Sequence, residues 1–157
     1  MKIDISTISD FDSWLNLAKE VEPLFGPMSQ EVGFHEALKI AISDNTAFCI
    51  HPDSKENNIH LKGGIIISKE SNEIAWLAVS KKYRGHGYGR ELLKYAINNL
   101  DSNKDIFVQT FDDSVSEGNA ARKLYTDFGF TDFKDGGPNP AGIPTTIMKL
   151  SVSQIAF

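Results

Sequence analysis

Between an apolar run from Ile74 to Val79 and a helical pattern ending at Leu100 lies Arg84-Gly85-His86-Gly87-Tyr88-Gly89-Arg90. Glycine lets a backbone turn sharply and approach a ligand closely. A helix N-terminus after such a turn offers unpaired amides and positive dipole character, which suits an anion. Two glycines remove Cβ where successive N–H groups converge on one charge. Lys81, Lys82, Arg84 and Arg90 add positive charge to a chain whose formal net charge is -5. The chemistry indicated is phosphate binding; the competing reading is a solvated basic turn. The dinucleotide fingerprint G-x-G-x-x-G fails, because Arg90 stands where the third glycine would be and Asp105 precedes the next strand instead of ending it. The P-loop pattern also fails, because no Gly-Lys-Ser/Thr triplet follows.

The loop needs a strand before it and a helix after it. Glu73 to Val79 reads as the strand, and Leu92, Leu93, Ala96, Ile97 and Leu100 share one helical face. Upstream, Met1 to Thr7 alternates as a short strand. Ser9 or Asp10 caps a helix to about Val21, with Phe11, Trp14, Leu15 and Ala18 at helical spacing, broken by Pro23, Gly26 and Pro27. A second helix is expected from Ser29 to Ser43, with Val32, Leu38 and Ala41 or Ile42 inward. Thr46 to His51 is a strand, Pro52 to Asn58 a polar turn and His60 to Lys69 a strand. Gly63-Gly64 inside the latter signals a bulge or a close backbone approach.

Downstream, Ile106 to Phe111 is a strand in the β-helix-β setting that gives a parallel neighbour. Asp112 to Gly118 is a polar loop, Glu117 to Phe128 a helix closed by Gly129, and Thr131 to Lys134 a strand. Gly136 to Pro144 is too rich in Gly and Pro for an element interior, and Thr145 to Leu150 is the last strand. Without repeats or low-complexity tracts, the pattern predicts a single α+β domain over residues 1–157. Its sheet is expected to be mixed, mostly antiparallel, twisted and flanked by helices.

A chain of 157 residues can bury one real core, and 41% hydrophobic with 24% charged residues is ordinary for a globular domain. The acidic balance argues against general nucleic-acid or anionic-membrane partners and mildly favours a cationic or amine-bearing small one. A lone cysteine, Cys49, excludes an internal disulfide framework and any zinc site of several thiolates, so no metal is expected. Neither a signal-like start nor an apolar segment of membrane-spanning length is present, and a cytoplasmic protein is expected.

Val79-Ser80-Lys81-Lys82-Tyr83-Arg84-Gly85-His86-Gly87-Tyr88-Gly89 resembles the pyrophosphate motif, Arg/Gln-x-x-Gly-x-Gly/Ala, of the GNAT superfamily of acetyl-CoA-dependent N-acetyltransferases. Asn119-Ala120-Ala121-Arg122-Lys123-Leu124-Tyr125-Thr126-Asp127-Phe128-Gly129-Phe130 resembles that family's later helix and its Tyr…Gly-Phe ending. The two motifs occur in the family's order with a strand between them, and the likeness covers roughly Glu73 to Leu150. It implies the acyl-CoA N-acyltransferase fold (α/β/α-like) with acetyl-CoA as co-substrate. It implies that the backbone around Leu77, Ala78 and Val79 bonds the pantetheine arm and thioester. Arg84, Gly85, His86, Gly87, Tyr88, Gly89 and Arg90 would surround the pyrophosphate, and Tyr125 would lie near the sulfur. One departure is Gly118, where many members carry asparagine seven residues before this tyrosine. Asn119 is the neighbouring candidate for that contact.

An alkyl amine with a pKa near lysine's ~10.4 is mostly protonated at neutral pH and cannot attack a thioester until something takes its proton. Glu73 is the first candidate base; Asp112 and Asp113 could serve instead or bind the acceptor cation. His86 lies in the phosphate loop and reads as solvent-facing or phosphate-contacting. Tyr125, with a free pKa of ~10, keeps its proton and suits donation to the departing thiolate, against the reading of a packed core aromatic. Pro23 to Met28 and Gly136 to Pro144 are natural walls for the acceptor, whereas Trp14 and Trp76 read as core. The expected function is acetyl transfer to a primary amine of a small molecule or peptide. The alternative is a non-catalytic acyl-CoA-binding module of the same fold. Acceptor identity and oligomeric state, a homodimer included, stay open at this level.

Overall fold

Residues 2–53 and 60–152 are described by a computed structural model. Seven strands form one sheet in the order β1-β2-β3-β4-β5-β7-β6. They are β1 (Asp4–Ile5), β2 (Ala47–Ile50), β3 (Gly63–Ser68), β4 (Glu73–Val79), β5 (Ile106–Phe111), β6 (Thr131–Pro138) and β7 (Pro144–Leu150). The helices are α1 (Phe11–Phe25), α2 (Val32–Ser43), α3 (Tyr88–Asn98) and α4 (Asn119–Asp127). Only β4 and β5 run parallel, as the α3 crossover between them requires. The α+β expectation with a mixed, mostly antiparallel sheet therefore holds. Among the described residues no helix is long and apolar enough to cross a membrane.

All of β2 is buried, and its residues alternate between two cores. Phe48 and Ile50 join the side covered by α3 and α4, where Leu92, Leu93, Ala96 and Ile97 meet Ile65, Ile74 and Val108. Ala47 and Cys49 join the other side, under Trp14, Leu17 and Ala18 of α1 and Leu38 of α2. A strand presents successive side chains to opposite faces, so a strand covered on both is apolar throughout. Each fully buried Leu or Ile on these faces contributes about 1.5–3 kcal/mol. Of the two meanings open for Gly63-Gly64, close approach is correct: a Cβ on Gly64 would lie 2.4 Å from the Trp14 ring. The bulge lies on the facing strand, where Ile66 opposes Trp76 and Ile67 opposes Ile74, leaving Ala75 as the extra residue.

Several boundaries differ from the sequence expectation, three of them for reasons visible in the local structure. Helix α1 passes Pro23 and ends at Gly26, whose φ of 103° and bond to the Glu22 carbonyl close it. Proline there forfeits one bond at the exposed end of the helix instead of breaking its middle. The Glu22 carboxylate then accepts the Met28 and Ser29 amides and the Ser29 hydroxyl, and those bonds hold its pKa below the usual range. That knot delays α2 to Val32, which is 69% exposed and not inward. Strand β6 runs through Gly136-Gly137 to Pro138 with register shifts at Phe133 and Gly136, so Gly136 marks a bulge, not a loop. The expected first strand narrows to Asp4–Ile5, and Met1 and most of the Pro52–Asn58 turn lie outside the described residues.

Gly129 does cap α4. Its φ is 101°, its N–H bonds the Thr126 carbonyl, and the Phe130 N–H bonds the Tyr125 carbonyl, the paired bonds of a Schellman end. Phe130 packs on the Tyr125 ring at 5.6 Å, so the cap also fixes that tyrosine.

Candidate active site

Strand β4 is joined to β3 along its whole length, from Gly63 opposite Val79 to Ser68 opposite Glu73. To β5 it is joined only at Glu73–Phe107 and Ile74–Val108. Past the Ala75 bulge the two strands part, and a cavity of about 630 Å3 fills the gap. The Ser80 amide bonds the Lys62 carbonyl on the β3 side. Backbone groups alternate sides along a strand, so Leu77 and Val79 turn theirs to the open side. The Arg84 Nε–H accordingly donates to the Val79 carbonyl at 3.2 Å.

Two glycines of the loop are fixed by backbone need. Gly85 has φ 81° and Gly87, the N-cap of α3, has φ 82° and ψ 7°; both are left-handed, with open space where a Cβ would be. The amides of α3's first turn thus project into the cavity's end with the dipole behind them. Glu20 of α1 anchors the loop's base, accepting from the Ser80 hydroxyl at 2.9 Å and the Lys81 amide at 2.8 Å. Beneath it Lys62, buried in an otherwise apolar strand, donates to Asp53 at 2.9 Å and to the Tyr88 hydroxyl at 3.2 Å. The Asp53 bond first, and then the Tyr88 bond, hold the Lys62 pKa up to about 12, so Lys62 and Asp53 form a persistent ion pair below the loop. A lysine inside an apolar strand run is the signal that could have exposed it.

Of the residues anticipated around a coenzyme, Leu77, Ala78, Val79, Arg84, Gly85, Gly87, Tyr88 and Gly89 line the cavity. His86, Arg90 and Asn119 are exposed and do not line it. Arg90 instead pairs with Asp127 at 3.2 Å and lies 5.5 Å from the Phe128 ring. Gly118 has a steric cause: a Cβ there would fall 2.4 Å from the Phe111 Cβ, so no asparagine fits beside this phenylalanine.

Tyr125 lines the cavity from α4 and is 4% exposed. Its hydroxyl makes no hydrogen bond among the described residues, and burial pushes its pKa up. It therefore stays protonated and has a proton to give. Glu73 sits at the paired end of β4, half-buried, without a hydrogen bond or ion pair among the described residues, and does not line the cavity. Asp112 does not line it either. Its carboxylate accepts the Ser114 amide at 2.9 Å and the Thr146 hydroxyl at 3.3 Å, with the Ser114 bonds chiefly lowering its pKa.

The opposite wall comes from the α1 end and the β6–β7 connection, the two segments anticipated as walls. Leu24, Phe25 and Met28 face Pro138, Asn139 and Pro140 across the cavity. They are latched together: Asn139 Nδ2 donates to the Leu24 carbonyl at 2.8 Å, and Gly26 packs so close to Pro140 that a Cβ would lie at 2.6 Å. Trp14 is fully buried core, as expected. Trp76 is half-buried and lines the cavity, its indole N–H on the Met28 sulfur at 3.3 Å. Phe111 lines it as well. Trp76 also packs on the α1-side core, 5.5 Å from the Trp14 ring, so the core expectation holds in part.

A family model described as the Acetyltransferase (GNAT) domain matches residues 43–132, the stretch from β2 through the cavity, loop, α3, β5 and α4. A comparison with curated proteins by sequence finds no match. Solved structures do match. An acetyltransferase of the GNAT family from Bacillus cereus superposes with a TM-score of 0.72 at 17% identity over 96% of each chain. A PaiA N-acetyltransferase from Thermoplasma acidophilum in complex with coenzyme A gives 0.67 at 17%, over 96% of this chain and 98% of that one. A spermidine N-acetyltransferase from Vibrio cholerae gives 0.68 at 18%, over 99% and 97%. Such identities establish a shared fold, whereas the domain match spans more than half of the sequence. On that match the chain belongs to the GNAT acetyltransferase family.

Proposed function

We propose that the protein transfers the acetyl group of acetyl-CoA to a primary amine by direct attack. The observation that carries this reading is the parting of β4 from β5 beside a left-handed glycine turn at a helix N-terminus, with an unpartnered phenol lining the same gap. The loop amides suit the pyrophosphate, and the backbone groups of Leu77 and the Val79 N–H, turned to the open side, suit the amides of the pantetheine arm. A structural relative is in complex with coenzyme A, which supports the same donor.

In the reaction the amine lone pair attacks the thioester carbonyl, a C–N bond forms and the C–S bond breaks. Tyr125 gives its proton to the departing sulfur. A backbone N–H near Val79 stabilises the developing oxyanion. Glu73 takes the amine's proton through water, since its side chain stops short of the cavity.

The test is release of free thiol from acetyl-CoA on addition of a panel of primary amines. Amine-dependent release is expected, and Glu73→Gln should lower kcat about tenfold or more while leaving coenzyme affinity unchanged. Silence across the panel, with coenzyme A binding intact by calorimetry, would instead identify an acyl-CoA-binding module without transfer.

A further inference from the structure

The two sides of the cavity differ in charge. On the side formed by α1 and the β6–β7 connection the lining contains no ionisable side chain among the described residues; the one carboxylate of the whole cavity, Glu117, precedes α4. What this side offers is rings. Phe25 lies 5.8 Å from Trp76 at 77° and 5.9 Å from Phe111 at 64°, both edge-to-face. The polar groups near them are already engaged. The Trp76 N–H is on Met28, the Asn139 amide is on Leu24, and its oxygen accepts the Ala141 and Ile143 amides.

Resting on the acetyl-transfer reading, we propose that the acceptor is a small arylalkylamine, a primary amine on a short chain ending in an aromatic ring. A ring from the ligand can join Phe25, Trp76 and Phe111 at the 4.5–7 Å spacings aromatic groups favour. Its ammonium is attracted by the ring faces during entry and then desolvated, which lowers the amine's pKa toward the free base that attacks. A polyamine fits badly here. Its second and third ammonium groups would lose water without meeting a carboxylate, and a buried unpaired charge is costly. The Asn139–Leu24 bond and the Gly26–Pro140 contact roof this wall, which favours a small molecule over a polypeptide end. The balance of the reaction is unchanged: the amine loses a proton, the leaving thiolate gains one, and the products are the N-acetyl arylalkylamine and coenzyme A.

The experiment measures thiol release from acetyl-CoA with 2-phenylethylamine, tryptamine, n-hexylamine, spermidine and a short peptide with an N-terminal phenylalanine. The arylalkylamines are expected to exceed hexylamine in kcat/KM by about tenfold, with spermidine lowest. Phe25→Ala should raise KM for arylalkylamines about tenfold more than for hexylamine, with the coenzyme dissociation constant unchanged, which also reports that the variant is folded. Leu24→Glu, which adds the missing carboxylate, should raise spermidine kcat/KM and lower that of 2-phenylethylamine. Turnover that favours spermidine, hexylamine or the peptide overturns this inference and leaves acetyl transfer standing. Silence with every amine overturns both.

Discussion

The α3–α4 side of the cavity is lined by the backbone of a glycine turn and a helix start, whereas the side formed by α1 and the β6–β7 connection is lined by side chains. On the first, two left-handed glycines, a helix N-terminus and the open groups of Leu77 and Val79 do the work. All of them fall within one short stretch of sequence. On the second, Phe25, Trp76, Phe111 and Asn139 come from four separate segments, and the bond that closes them joins residues 115 positions apart. Backbone geometry tolerates side-chain change, so the first side can stay constant while the second is rebuilt for another acceptor.

The sharpest way to separate the sides is Tyr125→Phe. Turnover should fall about a hundredfold at neutral pH while coenzyme affinity by calorimetry changes less than twofold. Equal loss of both would remove the proton-donor role and make Tyr125 part of the binding wall. Next in size, Gly87→Ala forces a Cβ into a left-handed backbone at a cost of about 1–2 kcal/mol. Coenzyme affinity should weaken by about tenfold and the amine KM should hold; the reverse pattern would mean that the loop serves the acceptor. Gly118→Ala tests the contact between sides, because its Cβ would strike Phe111 at 2.4 Å. Overpacking of that kind costs about 1–3 kcal/mol. A lower melting temperature with an amine KM raised more than the coenzyme KM is expected, since Phe111 belongs to the ring wall.

The smallest effect lies away from both sides, where His51 bridges Asp4 at 2.7 Å and Asp10 at 2.8 Å. Burial of the ring opposes its charge, but the bonds to Asp10 and Asp4 prevail and raise its pKa above 6.5. Stability from the imidazolium is therefore complete below pH 6.5 and lost as pH rises through the raised value. The ring is 41% exposed, so solvent weakens the effect. Melting temperature should drift down modestly over that alkaline interval, and His51→Asn should flatten the drift. An unchanged slope in the variant would assign it to other groups.

What was legible in the sequence follows the same division. Gly85, Gly87 and the Gly129 cap announced themselves because local backbone chemistry demands glycine there, and the strand-loop-helix order around them was right. Where tertiary structure overrode a local signal, the sequence misled. Pro23 reads as a breaker until its exposed terminal turn is known, and Gly136-Gly137 reads as loop until β7 is seen to pair across the Gly136 bulge. Val32 stands six residues before Leu38, off the face that Leu38, Ala41 and Ile42 turn inward, and is exposed. Trp76 packs on the α1-side core as read but also reaches the cavity, and Lys62 acquired a role only once its ammonium met Asp53 and Tyr88. His86, Arg90 and Asn119 were adjacent to the right loop and helix but face solvent, which spacing alone does not reveal.

The separation of β4 from β5 has a consequence for the protein's life without its donor. From Trp76 to Val79 the side of β4 turned away from β3 has no partner strand, and Arg84 covers only its Val79 carbonyl. Such an edge is a template for any extended chain, including another copy of the same protein. On the proposed reading, a pantetheine arm laid along it would act as the missing strand. At a coenzyme concentration a hundredfold above its dissociation constant, filling the edge adds about 2.7 kcal/mol to stability. Shelf life and solubility should thus follow coenzyme supply, and the groove that receives the donor is also the place where an empty molecule is stickiest.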